Sequence, residues 1–131
     1  MKKILILCTG NSCRSIMAEG MINSRFEKIQ ASSSGVKASG KVNKNAKKIL
    51  ELKNAWKNEY HSKTLETVIN QDFDLIITVC DNAKETCPIF PKAVKKVHIG
   101  FSDPDGNEFK EFENLWVEME SRLLPEIEKL L

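Results

Sequence analysis

Ile4-Leu5-Ile6-Leu7-Cys8-Thr9-Gly10-Asn11-Ser12-Cys13-Arg14-Ser15 joins an apolar tetrad to a polar, glycine-containing turn. Four apolar residues in a row, without alternation, form the pattern of a strand buried on both faces of a parallel sheet. Beyond the turn, Met17, Ala18, Met21, Ile22 and Phe26 share one helical face between Ser15 and about Lys28. Strand, turn and helix in that order open a βαβ unit.

Working outward, Ile29–Ser33 reads as a second short strand ending at Ser34-Gly35. Asn43 or Asn45 is a helix cap, with Val42, Ala46, Ile49 and Leu50 facing inward and the helix running to about Trp56. Thr64–Gln71 is expected to be a shorter helix. Leu75–Val79 is the clearest strand and runs straight into Cys80, and Val94–Ile99 is another. A loop centred on Asp103-Pro104-Asp105-Gly106 precedes a last helix carrying Phe109, Phe112, Leu115, Trp116, Met119 and Leu123. Pro125 lies within that pattern and is expected to kink the helix or start a separate turn, because it lacks an N–H.

The expected fold class is therefore α/β: a parallel sheet of about four strands with helices on both faces, forming a single domain over residues 1–131. Ligands in such sheets gather beyond the carboxyl ends of the strands. Cys8, Cys80 and the Asp103 loop all sit there. Twenty basic against eighteen acidic residues give a net charge of +2. That balance points to neither nucleic acid nor a membrane surface, so function is sought in a local site. Met1-Lys2-Lys3 before the apolar tetrad imitates a lipoprotein signal, but a signal core needs about 7–15 apolar residues. No stretch approaches the roughly 18 apolar residues of a membrane span. A cytoplasmic location is expected, and there cysteines are more often catalytic, redox-active or metal-binding than structural.

The turn suits a tetrahedral oxyanion. Amides at the start of a helix lack carbonyl partners and point toward the loop, and the helix dipole favours negative charge there. Gly10 allows a tight fold and Asn11 accepts a left-handed conformation, so successive amides from Thr9 through Ser12 and Cys13 to Ser15 can converge. Arg14 adds a planar cationic fork for two oxygens. The same field would lower the pKa of Cys8, with Ser15 placed to donate to its thiolate. A lone cysteine would read as a small buried hydrophobe. A cysteine followed by five residues, Arg and Ser at a strand-to-helix turn does not.

A second pair lies at Cys80 and Cys87. Two thiols becoming a disulfide release two electrons, which a reductase needs and a phosphatase does not. Cys80 could meet Cys8 across the rim, with Cys87 on a loop that then takes over the disulfide. Zinc binding fits poorly, since Cys8-x4-Cys13 and Cys80-x6-Cys87 lack the usual spacing and only two histidines are present. Passive burial suits Cys13 better than Cys87.

The Cys-x5-Arg-Ser loop resembles the signature of the low-molecular-weight phosphotyrosine phosphatase superfamily. The second pair is similar to that of the thioredoxin-coupled arsenate reductases within it. Met17-Ala18-Glu19-Gly20, Ser33-Ser34-Gly35, Val42-Asn43, Cys87-Pro88 and His98-Ile99-Gly100-Phe101-Ser102-Asp103-Pro104 extend the likeness over nearly the whole chain. Phosphatases of the superfamily carry tyrosines after the Asp-Pro, where this chain has Asp105-Gly106-Asn107.

The resemblance implies a flavodoxin-like fold and a definite chemistry. Cys8 attacks arsenate held by the loop and Arg14, while Asp103 protonates the departing oxygen. Cys80 attacks Cys8 and releases arsenite, Cys87 resolves the disulfide, and reduced thioredoxin recycles the protein as its electron donor. No tightly bound cofactor and no metal ligands are expected, and the chain is expected to be a monomer. Some relatives hold potassium with an Asn, a Glu, a Ser and an Asp. Asn11, Glu19 and Ser33 match, with Thr64 in place of the Asp. The alternative function is that of a low-molecular-weight protein tyrosine phosphatase. His61 and His98 are expected to be structural, and Lys44, Lys47, Lys48, Lys53 and Lys57 a solvated helix face.

Overall fold

Ile4, Leu5, Ile6 and Leu7 are wholly buried, although successive side chains on a strand point to opposite faces. Both faces of the first strand are therefore covered, as the unbroken apolar run predicts. In the computed structural model, which describes residues 1–87, 90 and 93–131, this strand is β1 (Lys2–Cys8). It is followed by α1 (Arg14–Arg25), β2 (Ile29–Gly35), α2 (Lys44–Leu52), β3 (Leu75–Thr78), α3 (Asp81–Thr86), β4 (Lys95–His98) and α4 (Phe109–Leu130). Pro88, quoted above beside Cys87, lies outside the described residues.

The four strands form one parallel sheet in the order β2-β1-β3-β4. β1 and β3 are central, and Leu75, Ile76 and Ile77 are as completely buried as the β1 tetrad. Across the register, Cys8 lies opposite Gly35, and Thr78 lies between Leu7 and His98. The chain order steps from β1 outward to β2, then back past β1 to β3. Loops leaving the carboxyl ends of β1 and β3 thus diverge at one crevice, the position where α/β sheets bind ligands. Helices α1, α2 and α4 pack on one another, with Phe112, Trp116, Met119, Leu123 and Ile127 giving α4 its buried stripe.

Several elements differ in extent or type from expectation. α1 stops at Arg25, because Phe26 turns extended and the Lys28 carbonyl is claimed by the amide of Lys2 at the start of the sheet. α2 stops at Leu52 rather than Trp56, because Asn54 adopts a left-handed conformation (φ 57°) and the Ala55 amide closes on the Leu50 carbonyl. Between Thr64 and Gln71 only a 3-10 turn at Leu65–Thr67 forms. The segment after Cys80, expected as a loop, is the short helix α3, with Cys80 at its N-cap and Cys87 at its C-cap. α4 also runs unbroken through Pro125, which is exposed, as is Ser121, whose carbonyl loses its helical partner.

Gly20 sets how closely α1 approaches α2. A Cβ there would lie 2.5 Å from Leu50 Cδ2 and 2.9 Å from the Ala55 carbonyl oxygen. Gly20→Ala is expected to lower stability by about 1–3 kcal/mol through overpacking, read from the urea midpoint. An unchanged midpoint would mean the two helices separate at no cost.

Candidate functional site

The turn between β1 and α1 is held from below by one buried side chain. Asn11 takes φ 51°, and its Nδ2 donates to Ser15 Oγ at 2.8 Å and to Ser33 Oγ at 2.9 Å. Its Oδ1 accepts from the Lys63 amide at 2.8 Å. Ser33 Oγ in turn donates to Glu19 at 2.6 Å. Glu19 is buried, which raises its pKa, while the nearby Lys63 ammonium and the Ser33 hydroxyl oppose that rise. Asn11, Glu19 and Ser33 are thus one hydrogen-bonded chain, and Thr64 lies at the end of it in a bridge to Gly35.

Above this base the amides of Gly10 through Ser15 donate to no backbone carbonyl among the described residues. A left-handed residue followed by a helix start turns such amides toward a common point, which makes an anion nest. Arg14 reaches the same rim. One of its terminal nitrogens donates to the Phe101 carbonyl at 3.1 Å and the other pairs with Asp103 at 3.4 Å. Its Nε is buried with no partner. A buried, unpartnered donor on a permanent cation is costly unless an acceptor is meant to meet it. Ser15 Oγ takes the Asn11 amide as its partner, and no bond from it to Cys8 is formed.

The thiols meet as the topology requires. Cys8, Cys13 and Cys80 are buried, Cys87 is half-buried, and none of the four is in a disulfide. Cys8, at the end of β1, and Cys80, two residues past β3, are neighbours at the rim, and each governs the other's titration. The effect on Cys8 is opposite to the expectation from the loop alone. The hydrogen bond to Cys80, reinforced by burial, holds the Cys8 thiol up against the pull of Arg14. Cys80 is lowered to about 5, first by the hydrogen bond from Cys8 and then by those from Thr9 and the Ala83 amide. Two neighbouring sulfurs cannot both hold a charge cheaply, so the two titrations are driven apart, Cys8 up and Cys80 down. Burial pushes Cys13 up to about 12. Burial also raises Cys87, with Lys96 opposing.

Thr9 has a role that the sequence did not announce. Its Oγ1 lies 3.2 Å from Cys80 Sγ and accepts from Asn82 Nδ2 at 3.0 Å. An amide nitrogen can only donate, so the Thr9 proton is left to point at Cys80. Asn82 was missed altogether; its place two residues past Cys80, in the first turn of α3, was the available signal. His98 is structural, as expected, and acts as a brace. It bonds Thr78 Oγ1 at 2.8 Å and Asp81 at 3.0 Å, tying β4 to the start of α3. The His61 ring bonds the Glu59 carbonyl at 2.8 Å.

Thr9, Arg14, Cys80, Asp81, Asn82, Phe101 and Asp103 line an open cavity of about 530 Å³ at this rim. Asp103 is exposed at its edge, its Oδ1 accepting from the Asp105 amide at 3.0 Å. No helix among the described residues is long and apolar enough to cross a membrane.

The arrangement has relatives. The family model described as low molecular weight phosphotyrosine protein phosphatase matches residues 3–129. An arsenate reductase of Bacillus cereus is 39% identical over 123 residues, covering 93% of this chain and 91% of its own. Among solved structures, an arsenate reductase from Archaeoglobus fulgidus superimposes with a TM-score of 0.78 at 28% identity, covering 91% of this chain and 94% of that one. A low molecular weight protein tyrosine phosphatase from T. tengcongensis shares the fold with a TM-score of 0.86 at 24% identity, over 98% of this chain and 99% of its own.

If Thr9 donates to Cys80, Thr9→Val should raise the Cys80 pKa from about 5 toward the ordinary thiol value. Thiolate absorbance near 240 nm should then vanish at a higher pH than in the parent protein. A curve superimposable on the parent's would remove Thr9 from the account.

Proposed function

The chain belongs to the low molecular weight phosphotyrosine protein phosphatase family, and from that premise we propose that it is an arsenate reductase with a three-cysteine relay recycled by thioredoxin. The observation that carries the reading is that the β1–β3 pairing brings Cys80 to the rim beside Cys8 and the oxyanion loop, where Thr9 Oγ1 lies 3.2 Å from its sulfur. A phosphatase needs one nucleophile in that cradle. A second thiol on the first supplies the electrons for a reduction.

Arsenate enters against the amides of Gly10 to Ser15 and the unpartnered Nε of Arg14. A proton shifts from Cys8 to Cys80, and the Cys8 thiolate displaces a hydroxyl oxygen of arsenate. Asp103, at the edge of the cavity, gives that oxygen a proton so that it leaves as water. Cys80 then loses its proton again, helped by Thr9 and the Ala83 amide. It attacks Cys8 Sγ, forming the Cys8–Cys80 disulfide. The electron pair of the S–As bond stays with arsenic, which leaves as arsenite. Two thiols have lost two electrons and arsenic has gained two.

Cys87 next attacks Cys80, restoring Cys8. Seven residues of helical rise separate Cys80 from Cys87 by about 10 Å, whereas a disulfide needs Cα atoms about 4.4–6.8 Å apart. α3 must therefore unwind before Cys87 can close on Cys80, and the unwound Cys80–Cys87 disulfide is what thioredoxin reduces. This chemistry belongs in a reducing compartment, in keeping with the cytoplasm.

A tyrosine phosphatase is the second reading, favoured by the likeness of phosphate and arsenate in charge and shape. Against it, Asp105-Gly106-Asn107 replaces the tyrosines after Asp103-Pro104, and Tyr60 is buried with its hydroxyl accepting from Asn23 at 3.0 Å. Weak side activity on p-nitrophenyl phosphate is expected.

Two measurements separate the readings. With thioredoxin, thioredoxin reductase and NADPH, arsenate-dependent turnover is expected in the parent protein and is expected to fall to background in Cys87→Ser. Absence of turnover in the parent, with phosphate-ester hydrolysis indifferent to that substitution, would establish the phosphatase. Hydrogen exchange over residues 81–86 should accelerate on oxidation, and equal protection in both states would contradict the unwinding.

A further inference from the structure

Asn43 is the junction of three parts of the site. Its amide donates to the Ser12 carbonyl in the oxyanion loop at 3.0 Å. Its Oδ1 caps α2 by accepting from the amides of Asn45 and Ala46, at 2.8 and 3.3 Å. Its Nδ2 donates to Asp105 at 2.8 Å. Because the cap commits the oxygen, the nitrogen is fixed as the donor, and the partner at Asp105 must accept. Asp105 passes the restraint on: its amide holds Asp103 Oδ1 at 3.0 Å, and its carboxylate accepts a long contact from Cys13 Sγ at 4.0 Å.

The segment from Ser102 to Asn107 belongs to no strand or helix, and Gly106 (φ 83°) turns it back toward α4. Among the described residues, side chains tie it to the oxyanion loop and α2 through Arg14–Asp103, through Asn43–Asp105 and, at the long distance of 4.0 Å, through Cys13–Asp105. The first tie is one that an incoming oxyanion competes for, since it would draw on the same guanidinium. The second is untouched by the substrate.

We propose that the Asn43–Asp105 clasp positions Asp103 for proton transfer, holding its carboxyl over the oxyanion loop once the substrate has engaged Arg14. Asn43 and Asp105 are positioning residues that act through Asp103. The proposal rests on the reading of Asp103 as the proton donor given under the proposed function.

The test is the single-turnover rate of arsenite formation by prereduced protein at saturating arsenate, which is independent of thioredoxin. Asp105→Ala and Asn43→Asp are each expected to slow it by about tenfold or more, the scale of a misplaced catalytic group. Half-saturation by arsenate should stay within about twofold, because the loop amides and Arg14 are intact. Asp caps a helix as well as Asn does, so Asn43→Asp keeps the end of α2 while setting two carboxylates against each other. The exchange Asn43→Asp with Asp105→Asn restores one donor facing one acceptor and should recover most of the rate. A helix-cap role alone predicts neither the loss nor the recovery. Failure of the exchange to recover the rate overturns the clasp. Asp103→Asn separates the two levels. A parent-like rate in it sinks the proton-donor reading and the clasp with it. A slow Asp103→Asn beside parent-like Asp105→Ala and Asn43→Asp sinks the clasp alone. Should Asn43→Asp not fold, Asp105→Ala, which lies outside every helix and strand, decides on its own.

Discussion

The left-handed conformation of Asn11 is the constraint on which the site depends. A non-glycine residue at φ 51° persists only where its surroundings hold it there. Here the side chain does the holding: it bonds α1 through Ser15, β2 through Ser33 and the segment before the 3-10 turn through the Lys63 amide. All three bonds are buried or nearly so, where an unmet polar group is costly. The loop above is thereby fixed with its amides unpartnered before any anion arrives. A cradle formed in advance does not have to be ordered at the moment of binding.

A second consequence follows from the sheet. Strands β1 and β3 are neighbours in register, so the residues leaving their carboxyl ends are brought together whatever the loops do. Cys8 closes β1, and Cys80 lies two residues past the end of β3. Their contact couples their titrations, so neither thiol can be described by its own surroundings. Thr9 belongs to the oxyanion loop yet hydrogen-bonds the second sulfur. One loop therefore carries both the unpartnered amides and the hydroxyl that faces Cys80.

The sequence disclosed those features that depend on short-range pattern. The apolar tetrad of β1, the buried run of β3 and the Asn43 cap are local signals, and each lies where it was expected. Cys8, Arg14, Cys80 and Asp103 could be expected at one rim because they lie at or in the loops beyond strand ends that a parallel sheet brings together. What escaped depended on distance or on single dihedrals. The Asn54 turn that ends α2 is one backbone angle, invisible to periodicity. Asn82, Asn43 with Asp105, and His98 with Asp81 act across separations of 73, 62 and 17 residues. The opposing shifts of Cys8 and Cys80 are a property of a pair, whereas the field of a loop on one cysteine can be reasoned from sequence.

α3 shows how a segment can be ordered and still release. Six residues are too few for a helix to stand alone, since nucleation is unfavourable and each added bond returns little. Asp81, Asn82 and Thr86 are weak helix formers. Ala83 is wholly buried, while Asp81, Asn82, Lys84 and Glu85 are exposed, so unwinding uncovers little apolar surface. Such a segment belongs to the part of a structure that opens most readily. Its first turn is different. Asp81 is held by His98, which is held by Thr78, and Asn82 is held to Thr9. These bonds fix the end that carries Cys80 against the oxyanion loop. For the relay proposed above, the sulfur that must stay over Cys8 is the braced one, and the freedom to unwind lies in the residues between it and Cys87.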